Sequence, residues 1–175
     1  FYFKPRMDRE ILERCSDGLI AINGHLGSEL AFHLVRYEQT KDRAHWDKAV
    51  EVCEWHRKVF RPGPDGEPRF YVELQHHVAE QIAINPHLIR IARELDLPLV
   101  CDNDSHFLMA EDHDAHDTLV CISTGKSKFD EERQKMKYPT ELYVKSPGEM
   151  WDLFDTDEYN NDEYGDAGRE ALLNT

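Results

Sequence analysis

A chain of 175 residues, 40% hydrophobic and 32% charged, is long enough for one domain or a large part of one and too apolar to be disordered in bulk. Its formal net charge of −14 argues against nucleic-acid binding by charge, because so acidic a surface repels a phosphate backbone. Metal-assisted chemistry on phosphates stays open, since bound cations reverse the local field. Cys15, Cys53, Cys101 and Cys121 form no C-x-x-C pair and read as buried thiols in a reducing cytoplasm. No apolar run reaches the roughly 18 residues of a membrane helix, so the expectation is a soluble, cytoplasmic protein without a membrane partner. The opening "FYFKPRMDRE" has no leader character and reads as the interior of a longer chain.

In chain order, residues 7–16 read as a helix stopped by Ser16-Asp17-Gly18. "GLIAINGH" (18–25) is a short buried strand closed at Gly24. "GSELAFHLVRY" reads as a helix capped by Ser28, and 42–60 is the clearest amphipathic helix, with Ala49, Val52, Cys53, His56 and Phe60 on one face. A Pro- and Gly-rich loop (61–69) precedes the alternating strand "FYVELQ" (70–75). A helix over 85–96 with Pro86 in its first turn, a strand over 97–103 and an acidic helix over 110–123 follow. Beyond about residue 126 the pattern weakens. A short strand (Glu141–Val144), a helix opening at Ser146-Pro147-Gly148-Glu149 and a mobile acidic loop over 155–168 are expected there.

Strands alternating with helices argue for an α/β fold with a parallel sheet, a barrel or a doubly wound sheet. In both, reactive residues gather beyond the carboxyl ends of the strands. His25 ends the first strand, Gln75, His76 and His77 the second, Asp104 and His106 the third. If 104–106 continue the strand, the Asp104 carboxylate and His106 imidazole share a face and can bind Zn²⁺, Mn²⁺ or Fe. The competing reading is an Asx-turn followed by a surface histidine. His25, between Gly24 and Gly27, is either turned into a cavity or a surface residue of a strand-to-helix turn. Adjacent His76 and His77 face opposite ways, so at most one shares a metal. His113 and His116, at i and i+3, read first as part of a solvated acidic face; Cys53 and His56 read as core. There is no Walker loop, G-x-S-x-G or dinucleotide fingerprint.

"FYFKPRMD", "GLIAINGHLGSE", "FYVELQHH", "NPHLIRIARELDLPLVCDNDSHFL", "EDHDAHDTLVCISTGK" and "YVKSPGEMWDLF … EALLNT" together resemble, in order, the later part of the PHP (polymerase and histidinol phosphatase) domain of the bacterial C-family replicative DNA polymerases. The resemblance covers nearly the whole chain. It implies an α/β fold, the C-terminal portion of a distorted (βα)7 PHP barrel, with 1–150 as partial PHP domain and 151–175 as an acidic loop and the start of the connection to the polymerase core. It implies metal ligands at His25, Asp104 and His106, with the remaining ligands upstream, and divalent metals (Zn, Mn or Fe, up to three in an intact domain) as cofactors. On this resemblance His77 is expected to lie near enough to assist catalysis. Two departures stand out: the usual Gln-Asp-His-Gly reads Gln75-His76-His77-Val78, and the common Thr before Asn103 is Asp102, which adds charge beside the site.

The resemblance implies a parent that polymerises DNA, partners in DNA, nucleotides and other replisome subunits, and a PHP site for metal-dependent phosphoester hydrolysis, either 3′–5′ proofreading or pyrophosphate removal. The fragment by itself is expected to be inactive and to self-associate through open sheet edges. Two other readings are a stand-alone PHP phosphatase and a non-catalytic scaffold that docks replication partners.

Overall fold

Three short parallel strands, β1 (Ala21–Asn23), β2 (Phe70–Leu74) and β3 (Leu99–Cys101), form one sheet in the order β1-β2-β3. Ala21 pairs with Phe70, and Val72 with Leu99. This is a computed structural model, and it describes residues 6–130 and 138–175. The opening residues of the "FYFKPRMD" stretch lie outside the described residues. The chain is mixed α/β with a parallel sheet, as the alternation of elements predicts. β2 and β3 are almost wholly buried, which suits their continuous apolar runs.

Helices α1 (Arg9–Cys15), α2 (Glu29–Thr40) and α3 (Arg43–Val59) begin at side-chain caps. Asp8, Ser28 and Asp42 each accept a backbone N–H of the first turn, from Ile11, Ala31 and Ala44. α2 packs on α3 and on α4 (Ala79–Glu94), and α4 packs on β2. Leu30, Leu34, Trp46, Val52, Ile84, Leu88, Ile89 and Leu99 fill the core between them. Cys53 is fully buried there, and His56 stacks on Phe60 and Phe70, so both belong to the core as their helical spacing suggests.

Helix α4 (Ala79–Glu94) starts well before the expected residue 85 and carries Pro86 in its interior. The missed start has a local cause. No Ser, Thr, Asp or Asn stands at the N-cap; instead the Gln81 side chain reaches back and accepts the Val78 N–H at 3.2 Å. The expected strand at 141–144 shrinks to a single parallel bridge, Phe107 to Tyr143. The acidic helix forms as a 3₁₀ turn (Ala110–Asp112) running into α5 (His113–Thr124). Helix α6 (Pro147–Phe154) has the capping box that its sequence announces, Ser146 and Glu149 bonding reciprocally.

Residues 155–168, expected as a mobile acidic loop, are instead an ordered turn. It holds a two-residue hairpin, β4 (Asn160–Asn161) with β5 (Gly165–Asp166). Its acidic composition hid one anchor: Tyr159 is fully buried, and its hydroxyl accepts from Asn85 Nδ2 (3.1 Å) and bonds His76 Nδ1 (2.8 Å). Helix α7 (Ala167–Leu173) then lies along β3. Gly168 is required there: a Cβ would stand 2.0 Å from the Phe154 carbonyl oxygen. Phe154, Tyr159, Ala167 and Ala171 all join the main core.

Candidate metal and phosphoester site

Because the three strands are parallel, the segments that leave them emerge along one edge of the sheet. The first carries Gly24 and His25. Gly24 lets β1 come close to β2, since a Cβ there would sit 2.1 Å from the Glu73 carbonyl oxygen. The third carries Asp102 to Phe107, pinned from the far side: Asn103 Nδ2 donates to the Glu141 and Tyr143 carbonyls, and His106 N–H to that of Leu142. The short stretch at 141–143 therefore serves as a brace for this loop rather than as a strand of the sheet.

At this edge the Asp104 carboxylate meets two imidazoles. His25 Nε2 lies 3.6 Å and His106 Nε2 3.4 Å from the same oxygen, Oδ2. Two donors bound at zinc's usual bond lengths in a tetrahedral array stand about 3.3–3.4 Å apart, so Asp104 and His106 have the spacing of neighbouring ligands. His25 differs in one respect. Gly27 N–H donates to its Nδ1 at 3.0 Å, which leaves the proton of the neutral ring on Nε2. Its Nε2 offers a lone pair toward Asp104 only once that proton moves to Nδ1 and the Gly27 bond is given up. Among the described residues no group of three or more His, Cys, Asp or Glu side chains closes into a metal-holding cluster. Asp104 and His106 alone have the spacing of a ligand pair, and His25 Nε2 could be a third donor only in its other tautomer.

His77 and His76 separate, as adjacent residues on an extended segment do. His76 turns to Tyr159 and Phe154, away from Asp104. His77 is half-buried, and its orientation follows from its neighbours. Gln81 Oε1 accepts the N–H groups of His77 (3.0 Å) and Val78, so the Gln81 amide nitrogen donates, to Gln75 Oε1 (2.7 Å) and to His77 Nε2 (2.9 Å). Nε2 of His77 is thus an acceptor and Nδ1 carries the hydrogen. That Nδ1 is buried with no partner. Burial holds the His77 pKa below its ordinary value, against the pull of Asp104 and Asp102.

Beneath these groups lies a chain of polar side chains that periodicity alone does not flag. Gln75 Nε2 donates to Asp102 Oδ1 (2.8 Å) and to Glu73 Oε1 (3.1 Å), and Asp102 Oδ1 also accepts the Asp104 N–H (3.0 Å). Glu73 is 6% exposed; burial first, and then its hydrogen bond with Asp102, push its carboxyl up to about 9. Burial also works against the Asp102 carboxylate, but the bonds from Glu73, Gln75 and the Asp104 N–H outweigh it and hold Asp102 below the usual range. The pair therefore shares one proton, resident on Glu73. The available sequence signal was a glutamate in the otherwise apolar run "FYVEL".

His113 and His116 turn inward rather than lie on a solvated face. His113 Nε2 bonds the Tyr138 carbonyl (3.0 Å), both rings stand against Phe107, and His116 meets His106 edge-on. Helix α5 is the wall behind His106.

Comparison with known proteins matches residues 1–77 to the PHP domain family. DNA polymerase III subunit alpha of Borreliella burgdorferi is 40% identical over 157 residues, 88% of this chain and 12% of that protein. The Campylobacter jejuni protein of the same name is 33% identical over 157 residues, 87% of this chain, and that of Deinococcus radiodurans 33% over 175 residues, 99% of this chain. The chain spans only 12% of the length of each of these three relatives. The ordered stretches that resembled C-family polymerases thus correspond to similarity along most of the chain, and the match to the PHP family falls on α1, β1, α2, α3 and β2. Residues 1–77 therefore match the PHP domain family, and most of the chain is similar to part of the DNA polymerase III alpha subunits.

Proposed function

We propose that this segment is the later part of a distorted (βα)7 barrel inside a replicative DNA polymerase, and that its strand-end edge holds divalent cations for phosphoester hydrolysis. The observation that carries the reading is the approach of His25 and His106 to one oxygen of Asp104. Asp104 and His106 would hold a Zn, Mn or Fe ion, with His25 joining in its Nδ1–H tautomer, and upstream residues would supply the further ligands of up to three metals. A cation bound there supplies charge neutralisation at a phosphoryl oxygen and a Lewis acid for water.

The chain's own groups then do the rest. His77 acts as a fixed dipole beside the site: its Nε2 lone pair is engaged by Gln81, burial disfavours its protonated form, and its Nδ1–H is buried without a partner. That arrangement is not that of a general base. The acidic surface leaves DNA and nucleotide contacts to the parent polymerase and to the metals, and the other replisome subunits are the protein partners of that parent. Removal of a nucleotide from a 3′ end and cleavage of pyrophosphate are both reactions of this class. Residues 151–175, seated in the core, begin the connection to the polymerase body, and the setting is the cytoplasm. No helix among the described residues is long and apolar enough to cross a membrane.

A scaffold role is the second reading, and the lack of a closed metal cluster among the described residues favours it. Metal content decides between them. By mass spectrometry, the full-length protein is expected to hold metal that the Asp104→Ala, His106→Ala double variant loses; equal content in both removes the hydrolytic reading.

A further inference from the structure

We propose that Asp102 is the positioning residue of this site, setting the Asp104 carboxylate toward His25 and His106 and linking it through Gln75 and Gln81 to His77. The inference rests on the reading of Asp104 and His106 as metal-holding residues and concerns what makes them so. Asp104 has φ of +43°, a left-handed conformation that an L-residue seldom adopts without support. The support is local. Asp102 Oδ1 accepts the Asp104 N–H at 3.0 Å, closing an Asx-turn that folds the chain back directly after β3. In that fold Asp104 Oδ2, rather than a backbone group, faces the two imidazoles.

Asp102 is itself anchored to β2, because Gln75 donates to its Oδ1 at 2.8 Å and simultaneously to Glu73. The anchor continues into α4: the Gln81 amide nitrogen donates to Gln75 Oε1 and to His77 Nε2, while its oxygen caps the helix by accepting from His77 and Val78. Each amide in this chain has its oxygen and nitrogen assigned by its partners. The whole relay from Asp104 N–H to the His77 ring is therefore single-valued. A shift of Asp102 alters the metal-holding loop at one end, and a shift of Gln75 alters both ends. Gln75, Gln81 and Glu73 are all buried, so water cannot readily replace these bonds.

The test measures zinc binding by chelator competition in the full-length protein, with hydrogen exchange at Val100 and Cys101 as a check on the strand. Asp104→Ala defines the background without this site. Asp102→Ala is expected to weaken the zinc that Asp104→Ala abolishes by about 10–100-fold, the usual effect of removing a group that orients a ligand. Exchange protection of β3 should stay unchanged. Asp102→Asn, whose oxygen can still accept from Asp104 and whose amide can donate to Glu73, should recover most of the affinity. Wild-type affinity in Asp102→Ala overturns the positioning role and leaves the metal site standing. Loss of zinc together with β3 protection, not recovered by Asn, reduces Asp102 to a structural residue and also overturns it. Zinc binding in the wild type no greater than in Asp104→Ala overturns both the site and the inference, a result read from a different pair of proteins.

Discussion

On the β3 edge of the sheet, side chains from residues 170–175 answer the strand's outward backbone groups, whereas on the β1 edge Leu19, Ile20 and Ile22 stand exposed and no strand pairs beyond β1 among the described residues. Glu170 accepts the Leu99 N–H, Asn174 donates to the Leu99 carbonyl, and the Thr175 hydroxyl donates to the Cys101 carbonyl. A parallel strand with free donors and acceptors invites another chain to pair with it. The comparison teaches that this fold closes one side of its sheet with its own polar side chains and, among the described residues, leaves apolar side chains exposed on the other.

The comparison can be broken most forcefully at Tyr159. This ring seats the acidic turn and, with it, helix α7 on β3. Tyr159→Ala empties a fully buried site and is expected to lower the local stability of β3 by about 3–5 kcal/mol, read as hydrogen exchange at Leu99–Cys101. Unchanged exchange would mean that the closed edge does not depend on the turn. Glu170→Ala is the next step down. It strands the Leu99 N–H and unpairs Arg93, at a cost of about 1–3 kcal/mol confined to β3. An equal effect on β1 would show that the two edges respond as one unit.

Glu73, on the middle strand, links stability to pH. Its carboxyl is raised from an ordinary value of 4.5 to about 9, so the folded protein binds more protons than the unfolded chain between those limits. The contribution is fully present below about pH 4.5 and is lost as pH rises through 9. In metal-free protein, the exchange-derived stability of β2 should fall from pH 6 to 9 and lie flat in Glu73→Gln; the same slope in both would assign it to other groups. The smallest effect on stability is expected at the open edge. Ile20→Lys should change stability by less than about 0.5 kcal/mol, yet reduce concentration-dependent self-association in sedimentation, because a charge on an exposed edge opposes strand pairing. Unaltered association would move the contact elsewhere.

The fold was legible in the sequence where ordinary Ser or Asp caps mark the helix starts, and not at α4, whose Gln81 cap on Val78 is local but unmarked. Ser28, Asp42 and the Ser146–Glu149 box fixed helix starts because a cap is a contact over three or four residues. The apolar run "LPLVCDN" announced a buried strand, and parallel order then put His25, His77 and Asp104 on one edge. Composition misled where the deciding contact is distant. Acidic 155–168 looks solvated until Tyr159 finds Asn85, a contact spanning 74 residues, and 141–144 looks like a strand although its carbonyls serve Asn103 and His106.

The amino-acid sequence by itself determined the resemblance to the alpha subunits, the alternation of strands and helices, and the residue types at the strand ends, since these rest on local pattern and ordered motifs. Only the tertiary structure decided which of those residues face one another. Asp104 turns toward two imidazoles because Asp102 holds its N–H, and His77 is a donor because Gln81 occupies its other nitrogen. Hydrogen-bond direction is a property of partners brought together by folding, and no spacing along the chain encodes it.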